Sequence, residues 1–248
     1  MRIKLIANPK KDWARALARE IASYLAQNTE HKTVRAGADA TICIGGDGTI
    51  LYANYKGRIE GAIIGIGSDK SYICQLHRDD WKSGLGELLA SEKRERIMSL
   101  ECSIGERSFI ALNDIVIHAT HYRVAEMRVS VETGNPEQET GNRELETEFE
   151  GDGMIISTAL GSAAYAFSAG GARLPPTESK LSLVPICPYK RAFSPQVLPE
   201  DSKVGITVGS DCAFIIDGIF VRRLRKGESV RASKGKPLAF FEGAGKKF

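Results

Sequence analysis

The reading turns on Thr41-Ile42-Cys43-Ile44-Gly45-Gly46-Asp47-Gly48-Thr49-Ile50-Leu51. An apolar, β-rich run enters a glycine-rich turn, and an apolar helical segment, 50–55, follows at once. Glycines at the carboxyl end of a strand let the backbone turn sharply and approach a ligand, while the next helix aims its unbonded amides and dipole at an anion. That geometry suits a phosphate chain, although the glycine spacing alone is equally compatible with a purely structural turn. Asp47 is the informative position. A carboxylate inside a phosphate cradle is unfavourable unless it meets a hydroxyl proton or a metal ion, so it implies chemistry rather than binding alone. The stretch is neither a Walker A loop nor a Gly-x-Gly-x-x-Gly fingerprint.

Working outward, residues 3–8 predict a first strand. Residues 12–26 carry Trp13, Leu17, Ile21, Tyr24 and Leu25 near helical spacing, with Asp12 placed to cap the helix. Ala40–Ile44 and residues 62–66 read as further strands, and a helix is predicted over 79–91. This alternation is the signature of β-α-β units around a parallel sheet. Beyond Ile97 the texture changes to strand-like runs at 109–118, 127–131, 154–157, 204–208 and 213–216, with one clear helix expected after Gly161. The acidic, turn-rich segment 132–152 reads as a long surface hairpin or loop, and 243–248 as a frayed terminus. The expected fold class is therefore an α/β N-terminal domain with a parallel sheet, residues 1–97, and a mostly β C-terminal domain, residues 98–248. A return of the C-terminal tail to the first domain is left open.

The 248 residues suffice for two modest cores, and the 42% hydrophobic and 26% charged composition is that of a globular protein. No apolar run approaches the ~20 residues of a membrane-spanning helix. The N-terminus lacks the pattern of a signal peptide, so a cytoplasmic location is expected. Cys43, Cys74, Cys102, Cys187 and Cys212 are odd in number and form no Cys-x-x-Cys, which argues for core thiols over a disulfide framework or zinc knuckle. A formal charge of +3, from 34 basic and 31 acidic groups, is too small for a dedicated nucleic-acid binder. The basic stretch 222–236 reads as a solvated surface. His118 and His121 fall at a strand end without a third ligand, so no protein-built metal site is expected.

The Gly45–Thr49 motif resembles that of the NAD kinase family, within a larger group that includes the diacylglycerol and sphingosine kinases. The family's Asn-Glu has its counterpart in Asn113-Asp114. Its longest signature, Asp-Gly-x-Ile-x-Ser-Thr-x-x-Gly-Ser-x-Ala-Tyr-x-x-Ser-Ala-Gly-Gly, matches residues 152–171 almost throughout. Weaker matches are Pro185-Ile186-Cys187-Pro188 and Asp217-Gly218. The resemblance implies an α/β domain and a C-terminal β-sandwich enclosing the site, with subunits forming homodimers or homotetramers. It implies transfer of a phosphoryl group from ATP, or from inorganic polyphosphate, to the 2′-hydroxyl of the adenosine ribose of NAD, giving NADP. Asp47 would be the base. Gly45, Gly46, Gly48 and Thr49 would meet the donor phosphates, with Gly46 and Gly48 offering backbone amides. Asn113 and Asp114 would hold ribose hydroxyls. Asp152, Thr158, Ala163, Ala164, Tyr165 and Ser168 would bind adenine and its ribose. Mg2+, or another divalent cation, would arrive with ATP and need no protein cage. No nucleic-acid polymer or membrane is expected as a partner.

Several positions depart from the family. Gly67 stands where Asn is usual, and the loop after it differs. Glu150 replaces a common basic residue, Ala163 a threonine, Ile219 a glutamine and Tyr189 a histidine. Glu150, Ala163 and the altered loop after Gly65 favour a competing acceptor, NADH or another nucleoside-like compound, while a third reading is a non-catalytic dinucleotide-binding protein. Bland readings stand beside the functional ones. Gly170, Gly171 and the neighbouring alanines also suit tight packing, and Asp217-Gly218 is a favoured hairpin dipeptide. Asn113 and Asp114 lie in an apolar, strand-like run, where paired polar groups are costly unless used.

Overall fold

The computed structural model describes residues 1–120, 123–134 and 143–242. The chain divides into two compact units, Met1–Ile97 with Leu238–Phe248, and Met98–Pro237.

In the first unit the sheet runs in the order Lys32–Thr33, Arg2–Ala7, Ala40–Ile44, Ala62–Gly67, Leu238–Phe241, Arg94–Ile97, with Leu76–His77 beside Ala62–Gly67. All pairs are parallel except Leu238–Phe241 with Arg94–Ile97. Ala40–Ile44 and Ala62–Gly67 are buried at every residue, which is why they read as unbroken apolar runs rather than alternating ones. Helix Asp12–Asn28 buries Ala14, Leu17, Ile21 and Leu25 along one stripe against this sheet. Its N-cap is Lys11 rather than Asp12, which lies inside the first turn and pairs with Arg15. The predicted helix over 79–91 is Trp81–Ala90, because a preceding turn, in which the Asp80 N–H bonds the His77 carbonyl, uses the residues before it. Trp81 packs edge-on against Tyr24, at 5.4 Å and 87°.

The second unit holds two antiparallel sheets of six strands. One runs Arg143–Gly151, Ala125–Thr133, Lys203–Val208, Ser229–Lys234, Leu100–Ile104, Arg107–Ala111. The other runs Gln196–Pro199, Lys180–Ile186, Gly153–Thr158, Asp114–Ala119, Cys212–Ile216, Ile219–Leu224. Phe109 of the first meets Phe214 of the second, ring centroids 5.6 Å apart. The acidic segment is a hairpin between Ala125–Thr133 and Arg143–Gly151; residues 135–142, like the tail 243–248, lie outside the described residues.

Two further expectations change. The run 109–118 is two strands in different sheets, joined at Leu112 and Asn113. The carboxylate of Asp217 takes the N–H groups of Leu112, Asn113 and Asp114, so those donors leave the ladder and the chain bends. The helix expected after Gly161 is only a 3-10 turn, Gly161–Ala163, and one α turn, Tyr165–Ser168. Ala164 interrupts them at φ −102°, ψ −122°, and Gly170 ends the segment at φ +94°. Among the described residues no helix is long and apolar enough to cross a membrane.

Candidate active site

In the first unit the carboxyl ends of Arg2–Ala7, Ala40–Ile44 and Ala62–Gly67 lie side by side, the place where open α/β sheets bind ligands. The Asn8 N–H bonds the Ile44 carbonyl at 2.8 Å, and the Gly45 and Gly46 N–H groups both reach the Ile66 carbonyl, at 2.9 and 3.2 Å. The expected role of Gly46 is thereby corrected: its amide extends the sheet and is not offered to a phosphate. What the turn offers are the N–H groups of Asp47 and Gly48, which open helix Asp47–Tyr55 and have no carbonyl a turn earlier to bond. Gly45 sits at φ +140°, and a Cβ there would stand 2.5 Å from both Asn8 Cβ and Thr49 Oγ1. Thr49 is 5% exposed and its hydroxyl accepts Asn8 Nδ2 at 3.3 Å. The Thr49 side chain therefore braces the turn instead of facing a donor.

Lys11 was not among the expected site residues. Its Nζ donates to the Gly45 carbonyl at 2.7 Å and lies 5.7 Å from the Trp13 ring, on which Arg78 also stacks at 5.3 Å. Lys11 thus brings a cation to a turn suited to an anion, and Arg78 shares the Trp13 ring with it. The available signal was Asn8-Pro9-Lys10-Lys11, polar and basic residues directly after a parallel strand.

The Asp47 carboxylate accepts the N–H groups of Tyr72 at 2.6 Å, Ile73 at 2.9 Å and Cys74 at 3.3 Å. These three donors fix its orientation and tie the 72–74 loop to the helix start. The loop is built differently from the family pattern for a steric reason. A Cβ at Gly67 would lie 2.1 Å from Ser71 Oγ and 2.9 Å from Cys74 Sγ, so an asparagine has no room and the Ser71 hydroxyl takes that space. Ser71 Oγ accepts the Ser68 N–H at 3.1 Å, closing the loop on itself.

In the second unit Asp217 and Gly218 form the hairpin turn between Cys212–Ile216 and Ile219–Leu224, both at positive φ, +50° and +75°. Asp217 also reaches beyond that turn: its three amide bonds, the shortest 2.7 Å to Asn113, set the backbone of Asn113 and Asp114. Asn113 Oδ1 is buried with no hydrogen-bond partner among the described residues. Thr158 is fully buried; its hydroxyl donates to the Leu112 carbonyl at 2.7 Å and accepts the Gly161 N–H at 3.0 Å. Its expected ligand contact is thus replaced by a bracing role. Gly161 is required where it is, since a Cβ would stand 2.1 Å from the Asn113 carbonyl oxygen.

Tyr165 is 42% exposed, and its hydroxyl is held above its usual range by burial first, then by Cys187, Asp114 and Asp152. Ala163 is half-buried, and Ala164, Tyr165 and Ser168 are exposed, on the two short turns that begin at Gly161, the residue packed on the Asn113 carbonyl; Asp152 directly precedes the strand that leads into them. Glu150 is exposed and lies opposite Glu126 in the antiparallel pair. Cys187 is exposed and the other four cysteines are buried, which fits core thiols for most of them. His118 Nδ1 meets the Ala119 carbonyl at 2.9 Å, and His121 lies outside the described residues.

Asp114 is 5% exposed, and burial, then the charge of Asp217, pushes its carboxyl up to about 7. Burial raises Asp217 to about 6 against the opposing effect of its amide bonds. A raised acid favours folding while neutral, so the stability Asp114 contributes is present near its unfolded value of 3.8 and is lost as pH rises through about 7. Asp114→Asn, neutral throughout, should gain on the parent between these two values and hold a constant advantage above them, on the order of 2–4 kcal/mol. Thermal melts of both proteins across pH 4–9 (roughly the range that spans both titrations) test this, and parallel curves would refute it.

A family model for the ATP-NAD kinase C-terminal domain matches residues 126–240. The NAD kinase of Clostridium perfringens is 34% identical over 212 residues, 80% of this chain and 72% of that protein. The chain belongs to the NAD kinase family. The family's enzyme from Methanosphaera stadtmanae is 27% identical over 267 residues, covering 97% of this chain and 94% of that one. Two solved structures share the fold: yeast NADH kinase complexed with NADH, TM-score 0.83 at 19% identity over 99% of this chain and 84% of that one, and an Archaeoglobus fulgidus NAD kinase in complex with ATP, TM-score 0.81 at 22% identity over 98% and 94%. As a member of the NAD kinase family, the chain is a phosphotransferase.

Proposed function

We propose that this kinase moves the γ-phosphoryl group of ATP to the 2′-hydroxyl of the adenosine ribose of NAD, giving NADP. The observation that carries the acceptor is Asn113 Oδ1, a buried acceptor without a partner among the described residues, next to the buried Asp114 carboxyl. A buried polar atom left unsatisfied is costly, and neighbouring ribose hydroxyls are the donors such a pair suits. Tyr165, Ala163, Ala164 and Ser168 would border the adenine, with Asp152 beside its ribose.

In the reaction the ribose oxygen bonds to the γ-phosphorus, the bond from that phosphorus to the bridging oxygen breaks, and ADP leaves. Asp47, already oriented by the 72–74 amides, accepts the hydroxyl proton. Lys11 and the Asp47 and Gly48 amides meet the charge on the donor phosphates. Magnesium, or another divalent cation, would arrive with ATP as part of the donor and would offset the charge of its phosphates.

The test is turnover with magnesium and ATP on NAD and on NADH, with the product identified by a dehydrogenase specific for the phosphorylated dinucleotide. NADP should form, faster than NADPH. A preference for NADH would change the acceptor, and transfer to neither would overturn the proposal.

A further inference from the structure

The loop that holds Asp47 also carries a buried thiol that the reaction above leaves unused. Cys74 is 2% exposed, and its sulfur fills a space that two glycines keep open. Gly65 and Gly67 stand two apart on strand Ala62–Gly67 and so present the same face of the sheet. A Cβ at Gly67 would lie 2.9 Å from Cys74 Sγ, and one at Gly65 would lie 3.1 Å from Cys74 Sγ and 2.9 Å from Cys74 Cα. Ser71 Oγ closes on the same space, 2.1 Å from a Cβ at Gly67. The Asp47 carboxylate is bonded unevenly. Its Oδ1 accepts the Ile73 and Cys74 N–H groups at 2.9 and 3.3 Å, and its Oδ2 accepts the Tyr72 N–H at 2.6 Å.

The thiol responds to both neighbours. Burial first, then the charge of Asp47 and a hydrogen bond to its side chain, push the Cys74 thiol well above its ordinary range, while a hydrogen bond with Ser71 opposes them. A thiol raised by a carboxylate keeps its proton and donates it, whereas a hydroxyl that lowers the thiol donates to the sulfur. The sulfur therefore stands between the Ser71 hydroxyl and Asp47. We propose that Cys74 is a positioning residue for the base: its S–H joins its own N–H on Asp47 Oδ1, which leaves Oδ2 to receive the ribose proton. A weak donor suits this task, since a strong one would take away the basicity that proton transfer needs. The proposal rests on Asp47 being the base, and adds which oxygen acts and what holds it.

The test compares Cys74→Ala with Cys74→Ser. Both remove the bulk of the sulfur, but only serine keeps a donor. Cys74→Ala should lower kcat about three- to tenfold, the worth of one hydrogen bond, and leave the KM for NAD and for ATP within about twofold. Cys74→Ser should regain most of that loss, although both variants melt below the parent. In the Asp47→Asn background, where no carboxylate remains to be positioned, Cys74→Ala should cost no further rate. Equal rates in the alanine and serine variants, or the same loss in both backgrounds, would overturn the proposal. A second measurement does not depend on turnover or on the alanine variant folding. The S–H stretching band of Cys74, assigned by its absence from Cys74→Ser, should move to higher frequency in Asp47→Asn, whose neutral amide is the weaker acceptor. An unmoved band overturns the contact while leaving Asp47 as the base. Near-normal turnover of Asp47→Asn removes the base and the proposal with it, so the two failures are told apart.

Discussion

Replacing Asp47 by asparagine is expected to lower kcat by about two to four orders of magnitude, with severalfold changes at most in the KM for either substrate. The amide keeps the size of the carboxylate and can still accept hydrogen bonds through one oxygen, but it cannot take the ribose proton. Steady-state rates with ATP, magnesium and NAD decide the matter, and near-normal turnover would sink the assignment. The structure adds a second effect. In the variant one amide NH₂ must face an N–H of Tyr72, Ile73 or Cys74, donor against donor, where the carboxylate accepted all three. Stability should therefore fall by about 1–3 kcal/mol. A melting shift without a large rate loss would make Asp47 a brace for the 72–74 loop and not the base.

Asp217→Ala is expected to destabilise the protein by about 3–5 kcal/mol and to weaken dinucleotide binding by tenfold or more, since three buried N–H groups lose their common acceptor. Those amides belong to the backbone that carries Asn113 and Asp114, so the two effects should appear together. Asp217→Asn keeps one acceptor oxygen and should fall between the parent and the alanine variant. Urea unfolding gives the first quantity, and calorimetric titration with NAD the second. If binding is retained while stability drops, Asp217 serves only its hairpin, as its dipeptide alone implies.

Asp217 also shows where sequence reading stops. Asp-Gly between two apolar runs is legible as a turn because the left-handed conformations it needs are local. Its bonds to Leu112, Asn113 and Asp114 are made across 105, 104 and 103 residues of chain, and no spacing records them. Asn113 and Asp114 were legible as functional, but as members of a continuous strand; the bend that isolates them comes from that remote carboxylate. Thr158 is the reverse case. It sits in a highly specific motif, yet its hydroxyl is spent on Leu112 and Gly161, because the motif includes the frame of the site as well as its contacts. Lys11 was not legible for another reason: a lysine just after a proline is common on any surface until the strand end brings it to the Gly45 carbonyl.

By itself the sequence determined the parallel strands, the helix Asp12–Asn28, the glycine turn with Asp47 at its centre, and the family to which the chain belongs. These depend on periodicity, on glycine's access to positive φ and on a long contiguous motif, all local properties. Only the tertiary structure decided which polar groups remain available. The Gly46 amide is consumed by the Ile66 carbonyl, while Asn113 Oδ1 is left buried and, among the described residues, unpartnered. A hydrogen-bonding group can serve a ligand only if the fold has not already used it, and its competitors lie far away in sequence and close in space.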